Sequence, residues 1–266
     1  MANISASMVK ELRDKTGAGM MDCKKALVKT DGDMEAAIDE LRKSGIAKAE
    51  KKAGRAVKEG KIVTVIDGGK GVMVEALCET DFVATNEKFI TFVTGVAERA
   101  MDIDVDGCVT EQVQANENEV LTSMIATIGE NMQLRRAVRW TTEGTLASYL
   151  HMGGRIGVLV DVEGEADDAF LNELCMHIAA FNPAYICPDC IPADVVEREK
   201  EVAAGTVAGK PAEMIEKIVM GKINKWYKEV TLVNQPWIKD DKSCLSKLKP
   251  NLKVKRFLRW EMGAEI

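Results

Sequence analysis

Histidine is nearly missing from this chain: its 266 residues hold only His151 and His177. Neither sits in a serine or cysteine, histidine and carboxylate arrangement, in which a base activates a nucleophile and a third group orients the base. No Gly-x-x-x-x-Gly-Lys-Ser/Thr stretch is present, so the chain lacks the loop whose backbone amides cradle a nucleoside triphosphate. No apolar run approaches the ~20 residues of a membrane-spanning helix. Met1-Ala2-Asn3 leads straight into a helical pattern, with no basic and apolar leader and no Arg/Ser-rich transit segment. The expectation is a cytoplasmic protein with reduced thiols. The seven cysteines are odd in number and suggest no disulfide framework. Cys187-Pro188-Asp189-Cys190 has the spacing of a redox pair or of half a zinc site, but it lies in a loop before Pro192. Cys175 and His177, two apart on a helix, point their side chains in different directions and do not complete a zinc ligand set. The sequence therefore predicts no metal site, no cofactor and no catalytic residue. It reads as a protein that is not an enzyme.

Aromatic residues are also sparse, at 5%, while methionine is abundant with 14 residues. Few aromatics and many methionines suit small helical modules with adaptable apolar surfaces. The net charge is -6 and the pI about 5.3, which argues against general nucleic-acid binding. Charge is uneven, with basic runs at Lys48, Lys51, Lys52, Arg55 and Lys58 and again from Lys247 to Arg259. Such runs are ordinarily solvated faces.

The periodicity divides the chain. Residues 1–45 predict three short helices: the first is capped by Ser5 or Ser7 and ended by Thr16-Gly17-Ala18-Gly19, and the third is capped by Asp33 and stopped at Gly45. Residues 46–60 read as a basic, Ala-rich helical linker. From Lys61 the period changes to two, and Asp67-Gly68-Gly69-Lys70 signals a hairpin. A helix over 86–100 follows, then a polar loop at 102–108, a helix over 113–128 and a mixed segment to Trp140. A strand, turn, strand and helix recur over 146–181, again with Gly-Gly in the turn and Gly-Val opening the return strand. The expected fold is α+β. A three-helix bundle precedes a core of two related strand-strand-helix subdomains, residues 61–140 and residues 141–191 with 222–266. Residues 192–221 predict an inserted helical hairpin turning at Gly209-Lys210-Pro211, whose apolar stripe folds on itself or pairs with a second molecule. Val230–Val233 and Lys255–Glu261 read as late strands.

Glu79-Thr80-Asp81-Phe82-Val83-Ala84 falls between the second strand and the helix over 86–100. Read for local structure alone, Asp81 caps that helix and Phe82 tucks beneath it against Phe89. Connecting segments on a rigid scaffold also carry function disproportionately.

Cys78-Glu79-Thr80-Asp81-Phe82-Val83-Ala84 resembles a signature of the translation elongation factor Ts family. So does the run from Leu12 to Leu27, with Arg13-Asp14-Lys15-Thr16-Gly17-Ala18-Gly19-Met20-Met21-Asp22-Cys23-Lys24-Lys25 at its centre. Gln235-Pro236-Trp237 is similar to the family's Gln-Pro-Phe, and the likeness covers essentially the whole chain. The resemblance implies a ubiquitin-associated-like fold for the N-terminal bundle. It implies a guanine-nucleotide exchange factor that binds elongation factor Tu in GDP-bound and nucleotide-free states, displaces Mg2+ and promotes GDP release. Thr80, Asp81, Phe82 and Val83 match the segment that dislodges the metal, and Arg13, Met20 and Met21 match N-terminal partner contacts. His151 matches a further contact, although Met152-Gly153-Gly154 places it one residue farther from Arg155 than the family spacing. The hairpin matches a coiled-coil, dimerisation-like module. Many family members continue into a C-terminal helical module, and the expectation is that its contact is missing here. The alternative is an adaptor that uses the bundle to hold some other protein.

Overall fold

The computed structural model describes residues 4–207 and 211–265. Helix α1 (Ala6–Thr16) starts at Ser5, whose Oγ accepts from the Met8 N–H at 3.2 Å. It ends where Gly17, at φ 69°, turns its N–H back to the Arg13 carbonyl. Helix α2 (Met20–Lys29) follows, and α3 (Met34–Lys52) is capped by Asp33. Val9, Leu12, Cys23, Ala26, Leu27 and Ala37 form the small core of this bundle.

Gly45 does not stop α3. The helix runs on through it to Lys52, so residues 46–52 of the expected linker continue the third helix. A glycine inside a helix costs only about 1 kcal/mol, and packing overrides it here. Gly45 is buried, and a Cβ added to it would lie 3.5 Å from Ala126, where α3 meets helix α6 (Thr110–Ile128).

Strands β1 (Glu59–Asp67) and β2 (Lys70–Cys78) pair through the predicted two-residue turn. A short helix α4 (Asp81–Ala84) leads into α5 (Glu87–Ala100), which buries Phe89, Phe92, Val93, Val96, Ala97 and Ala100. The expected polar loop contains a two-residue strand β3 (Gly107–Cys108), and the mixed segment forms β4 (Met132–Thr141). The sheet order is β1-β2-β4-β3. Strands β5 (Thr145–His151) and β6 (Ile156–Glu163) precede helix α7 (Asp168–Phe181). Helices α8 (Ala193–Gly205) and α9 (Ala212–Val230) pack on each other, and the expected break at Gly209-Lys210 lies outside the described residues. A short α10 (Leu245–Leu248) and strand β7 (Lys253–Glu261) complete the second unit, whose sheet runs β5-β6-β7.

Two segments depart from the sequence expectation. Val230–Val233 is not a strand: α9 runs to Val230, and the next residues find only a loop to pair with. Leu232 N–H donates to the Tyr185 carbonyl at 2.9 Å and Val233 N–H to that of Ile186 at 3.0 Å. Cys187 and Cys190 are joined by a disulfide rather than left as free thiols. The tight turn over Pro188–Cys190, closed by Cys190 N–H to the Cys187 carbonyl at 3.0 Å, brings the two residues together.

The internal repeat is deeper than its turns. Gly71-Val72-Met73-Val74-Glu75 on β2 corresponds to Gly157-Val158-Leu159-Val160-Asp161 on β6. Arg136-Ala137-Val138-Arg139-Trp140 on β4 corresponds to Arg256-Phe257-Leu258-Arg259-Trp260 on β7. Gly71 pairs with Trp140 and Gly157 with Trp260; Glu75 pairs with Arg136 and Asp161 with Arg256. In each sheet the register shifts just after the buried carboxylate. The two units then exchange contacts. Arg136, held by Glu75, lies 4.5 Å from the Trp260 ring; Arg256, held by Asp161 at 3.0 Å, lies 4.5 Å from the Trp140 ring. Glycine is needed where the sheets meet: a Cβ on Gly157 would fall 2.5 Å from Ile62 Cγ2, and one on Gly71 2.9 Å from Leu146 Cδ1.

The second core stacks four rings, Phe170, Trp237, His177 and Phe181, with centroids 5.3, 4.9 and 4.7 Å apart in order. Gln235 Nε2 donates to the Glu229 carbonyl at 2.8 Å and to that of Phe181 at 3.4 Å, which leaves its Oε1 to accept from His177 Nε2 at 3.1 Å. His177 thus carries a proton on Nε2, and its Nδ1 is buried without a hydrogen-bond partner. Burial holds its pKa below the usual histidine value, partly opposed by Gln235.

Glu75→Ala strips a fully buried carboxylate from Arg135 and Arg136 and should lower stability by about 3–5 kcal/mol, seen as a lower urea midpoint at unchanged slope. Because the folded chain resists protonating His177, its contribution to stability is full above the unfolded histidine pKa of about 6.5. Stability should fall as pH drops below that value. NMR should show the His177 ring still neutral where the unfolded histidine is half protonated.

Candidate functional site: an exposed turn on a clamped crossover

The crossover from β2 to α5 is fixed at both ends. On its inner side Val83 and Ala84 are buried against the first sheet and α5. Successive residues of a helical turn advance about 100°, so burying these two drives Asp81 and Phe82 outward. Thr80 caps the turn, its Oγ1 accepting from Val83 N–H at 3.4 Å. Thr85 closes it, its hydroxyl donating to the carbonyls of Asp81 at 3.0 Å and Phe82 at 3.1 Å. Phe82 ends up 82% exposed. The expectation that it tucks under the next helix is therefore corrected, and so is the capping role for Asp81. Thr80 caps α4 and Asn86 caps α5. Phe89 is wholly buried without Phe82.

The root of the turn is tied by two carboxylates that reach across in opposite directions, Glu130 to the Glu79–Thr80 backbone and Glu79 to that of Asn131. Glu130 accepts from Glu79 N–H at 3.1 Å, Thr80 N–H at 3.0 Å and the Thr80 hydroxyl at 2.6 Å. Glu79 accepts from Asn131 N–H at 2.6 Å and meets Arg55 at 3.4 Å. The Asn131 N–H, then Arg55, hold the Glu79 carboxyl below its usual pKa. Asn131 Nδ2 donates to the carbonyls of Arg55 at 2.8 Å and Ala53 at 3.4 Å, just past the end of α3. Glu130 and Asn131 were not singled out by the sequence, and Arg55 stood out only as part of a basic run. Glu130-Asn131 follows the glycine that ends α6, and its polarity there is the only local signal.

On the bundle, Arg13 is exposed near the end of α1. Met20 and Met21 open α2 and are 53% and 62% exposed, so both face outward. His151 ends β5, exposed, with Nδ1 3.2 Å from the Tyr149 hydroxyl. In the turn that follows, Met152 stands at φ 49° and the Gly154 carbonyl accepts from Ile62 N–H at 2.8 Å. Among the described residues no group of three His, Cys, Asp or Glu side chains could hold a metal ion. No helix among them is long and apolar enough to cross a membrane.

The α+β core exposes a phenylalanine on a clamped turn, and the bundle that precedes it exposes two methionines. The family model described as Elongation factor TS matches residues 79–264. An elongation factor Ts of Clostridium botulinum (strain Alaska E43 / Type E3) is 46% identical, over 99% of this chain and 94% of that relative. One of Thioalkalivibrio sulfidiphilus is 47% identical over 99% and 93%, and one of Paramagnetospirillum magneticum 46% over 100% and 93%. The chain belongs to the elongation factor Ts family, the translation factors that exchange nucleotide on elongation factor Tu.

Because Phe82 gives almost nothing to the core, Phe82→Ala should shift folding stability by less than about 0.5 kcal/mol, measured by thermal or urea denaturation.

Proposed function

We propose that this exchange factor frees elongation factor Tu of GDP by a two-point grip, with Phe82 as an apolar wedge and the N-terminal bundle as the second hold. The observation that carries this reading is the exposure of Phe82 on a turn clamped at both ends. A GTPase holds GDP through backbone amides, a lysine and an Mg2+ that bridges the phosphates. Phe82 enters near the partner's metal site. Asp81 beside it makes the polar contacts that fix the wedge and disturbs the partner's metal ligation, while Thr80 and Val83 keep the shape of the turn.

Magnitudes require the second hold. Moving a two-state partner from 1:99 to 99:1 takes about 5.5 kcal/mol of differential affinity, while burying one phenylalanine yields only about 1.5–3 kcal/mol. Arg13, Met20 and Met21 supply the remainder, and His151 adds a contact from the second unit. Coupling is reciprocal, so a factor that weakens GDP binding is itself bound less tightly by the GDP complex than by the nucleotide-free partner. The adaptor reading has no observation in its favour. Val202, Met214 and Met220 stay more than half exposed on α8 and α9, which supports pairing of two copies through residues 192–221 as part of the same reading. The expected seat is the cytoplasm, where translation takes place.

Release of a fluorescent GDP from elongation factor Tu separates the two holds. Phe82→Ala should lower the maximal release rate more than it lowers affinity for the nucleotide-free partner. Met20→Asp with Met21→Asp should raise the half-saturating concentration about tenfold or more and leave the maximal rate nearly intact. Equal losses of rate and affinity for Phe82→Ala would make it a plain anchor and defeat the wedge.

A further inference from the structure

Glu130 has an unusual set of partners. One carboxylate takes three donors, and all three belong to Glu79 and Thr80, the two residues just before Asp81-Phe82. None of these three bonds serves the sheet ladder or a core side chain. Charge-assisted hydrogen bonds to backbone N–H groups are the stronger kind, and here they fix the chain on the upstream side of the turn. The buried Val83 and Ala84 fix the downstream side. The knot extends further: Asn131, next to Glu130, holds the Ala53 and Arg55 carbonyls, and Arg55 meets Glu79. The end of the helix that carries the bundle and the root of the exposed turn are therefore fastened to one dipeptide.

We propose that Glu130 is a positioning residue for nucleotide exchange. It holds the Glu79–Thr80 backbone so that Asp81 and Phe82 stand ready in the conformation the partner receives. Ordering a flexible segment on binding costs affinity and rate, and a segment ordered beforehand avoids that loss. Asn131 extends the same fastening to the end of α3, so that the wedge and the bundle present themselves at a set separation. This inference rests on the two-point grip proposed above.

The test uses the full chain and elongation factor Tu loaded with fluorescent GDP, with release followed over a range of factor concentration. Glu130→Ala should cut the maximal release rate about tenfold, the scale set by freeing a residue or two of backbone. Glu130→Gln should restore most of it, because the amide oxygen can accept both backbone N–H groups and the amide nitrogen can donate to Thr80 Oγ1. In a Phe82→Ala background, Glu130→Ala should have little further effect, since there is no wedge left to position. Amide hydrogen exchange at Glu79 and Thr80 should quicken in Glu130→Ala and remain slow in Glu130→Gln. If Glu130→Ala folds poorly, Thr80→Val, which removes the hydroxyl donor and the cap, should show the same loss of maximal rate and the same dependence on Phe82. An equal loss with and without Phe82, or a loss that only tracks the folded fraction in urea, overturns the proposal and makes Glu130 structural. The parent reading fails separately: if Phe82→Ala leaves release unchanged, there is no wedge. If Phe82→Ala slows release while Glu130→Ala does not, only the positioning role falls.

Discussion

Two guanidinium groups laid across each other's sheets join the two units of this core, beside an apolar cluster that both units share. Each of Arg136 and Arg256 is fastened to a buried carboxylate in its own unit and covers the tryptophan of the other. Neither residue could be changed alone without cost. Losing the arginine takes a close cationic partner from a buried carboxylate, and losing the carboxylate removes one of the contacts that hold the arginine over the ring. A buried charge costs several kcal/mol when unpaired, so the joint is held in place by what its failure would expose. The glycines at the contact, Gly71 and Gly157, let the sheets approach, and Arg139 and Arg259 bind the ends of α5 and α7 through the Met101 and Ala179 carbonyls. The joint thus reaches from sheet to sheet and on to the helices that back them.

The exposed turn depends on this rigidity. A phenylalanine in water gains nothing from its position, so only its neighbours keep it there. Those neighbours are Val83 and Ala84, seated in the first core, and Glu130, which stands where α6 gives way to β4. Both are as steady as the sheet behind them. The second unit has a strand, a crossover and a helix in the same order, but its crossover from Glu163 to Asp167 carries no aromatic residue. The fold closes without one, so the sequence of the first crossover is not demanded by the architecture.

Much of this was legible in the residues. Periodicity placed α5 and α7 to within a residue, because their apolar stripes are complete and asparagine or aspartate stands at the cap. The hairpin at Asp67–Lys70 followed from its glycines. The failures share a cause: a local signal lost to a distant contact. Gly45 reads as a stop, and packing against Ala126 carries the helix through it. Val230–Val233 reads as a strand from its β-branched residues, but no strand lies beside it among the described residues. Phe82 reads as a staple by spacing, yet Phe89 fills its place in the core alone. The Arg-x-x-Arg-Trp that begins at Arg136 and again at Arg256 stands in the sequence twice. Its meaning lies in contacts between the units, from Arg136 to Trp260 and from Arg256 to Trp140, which no local pattern announces.

Helix α3 runs unbroken for 19 residues from the bundle to the core, a length of about 28 Å at the usual helical rise. A helix cannot gain or lose a residue without turning everything before it by about 100°. Length and heading are therefore locked together, and the chain behaves like a caliper whose jaws cannot be reset. Loops elsewhere can lengthen at little expense, but this span admits change only in whole turns.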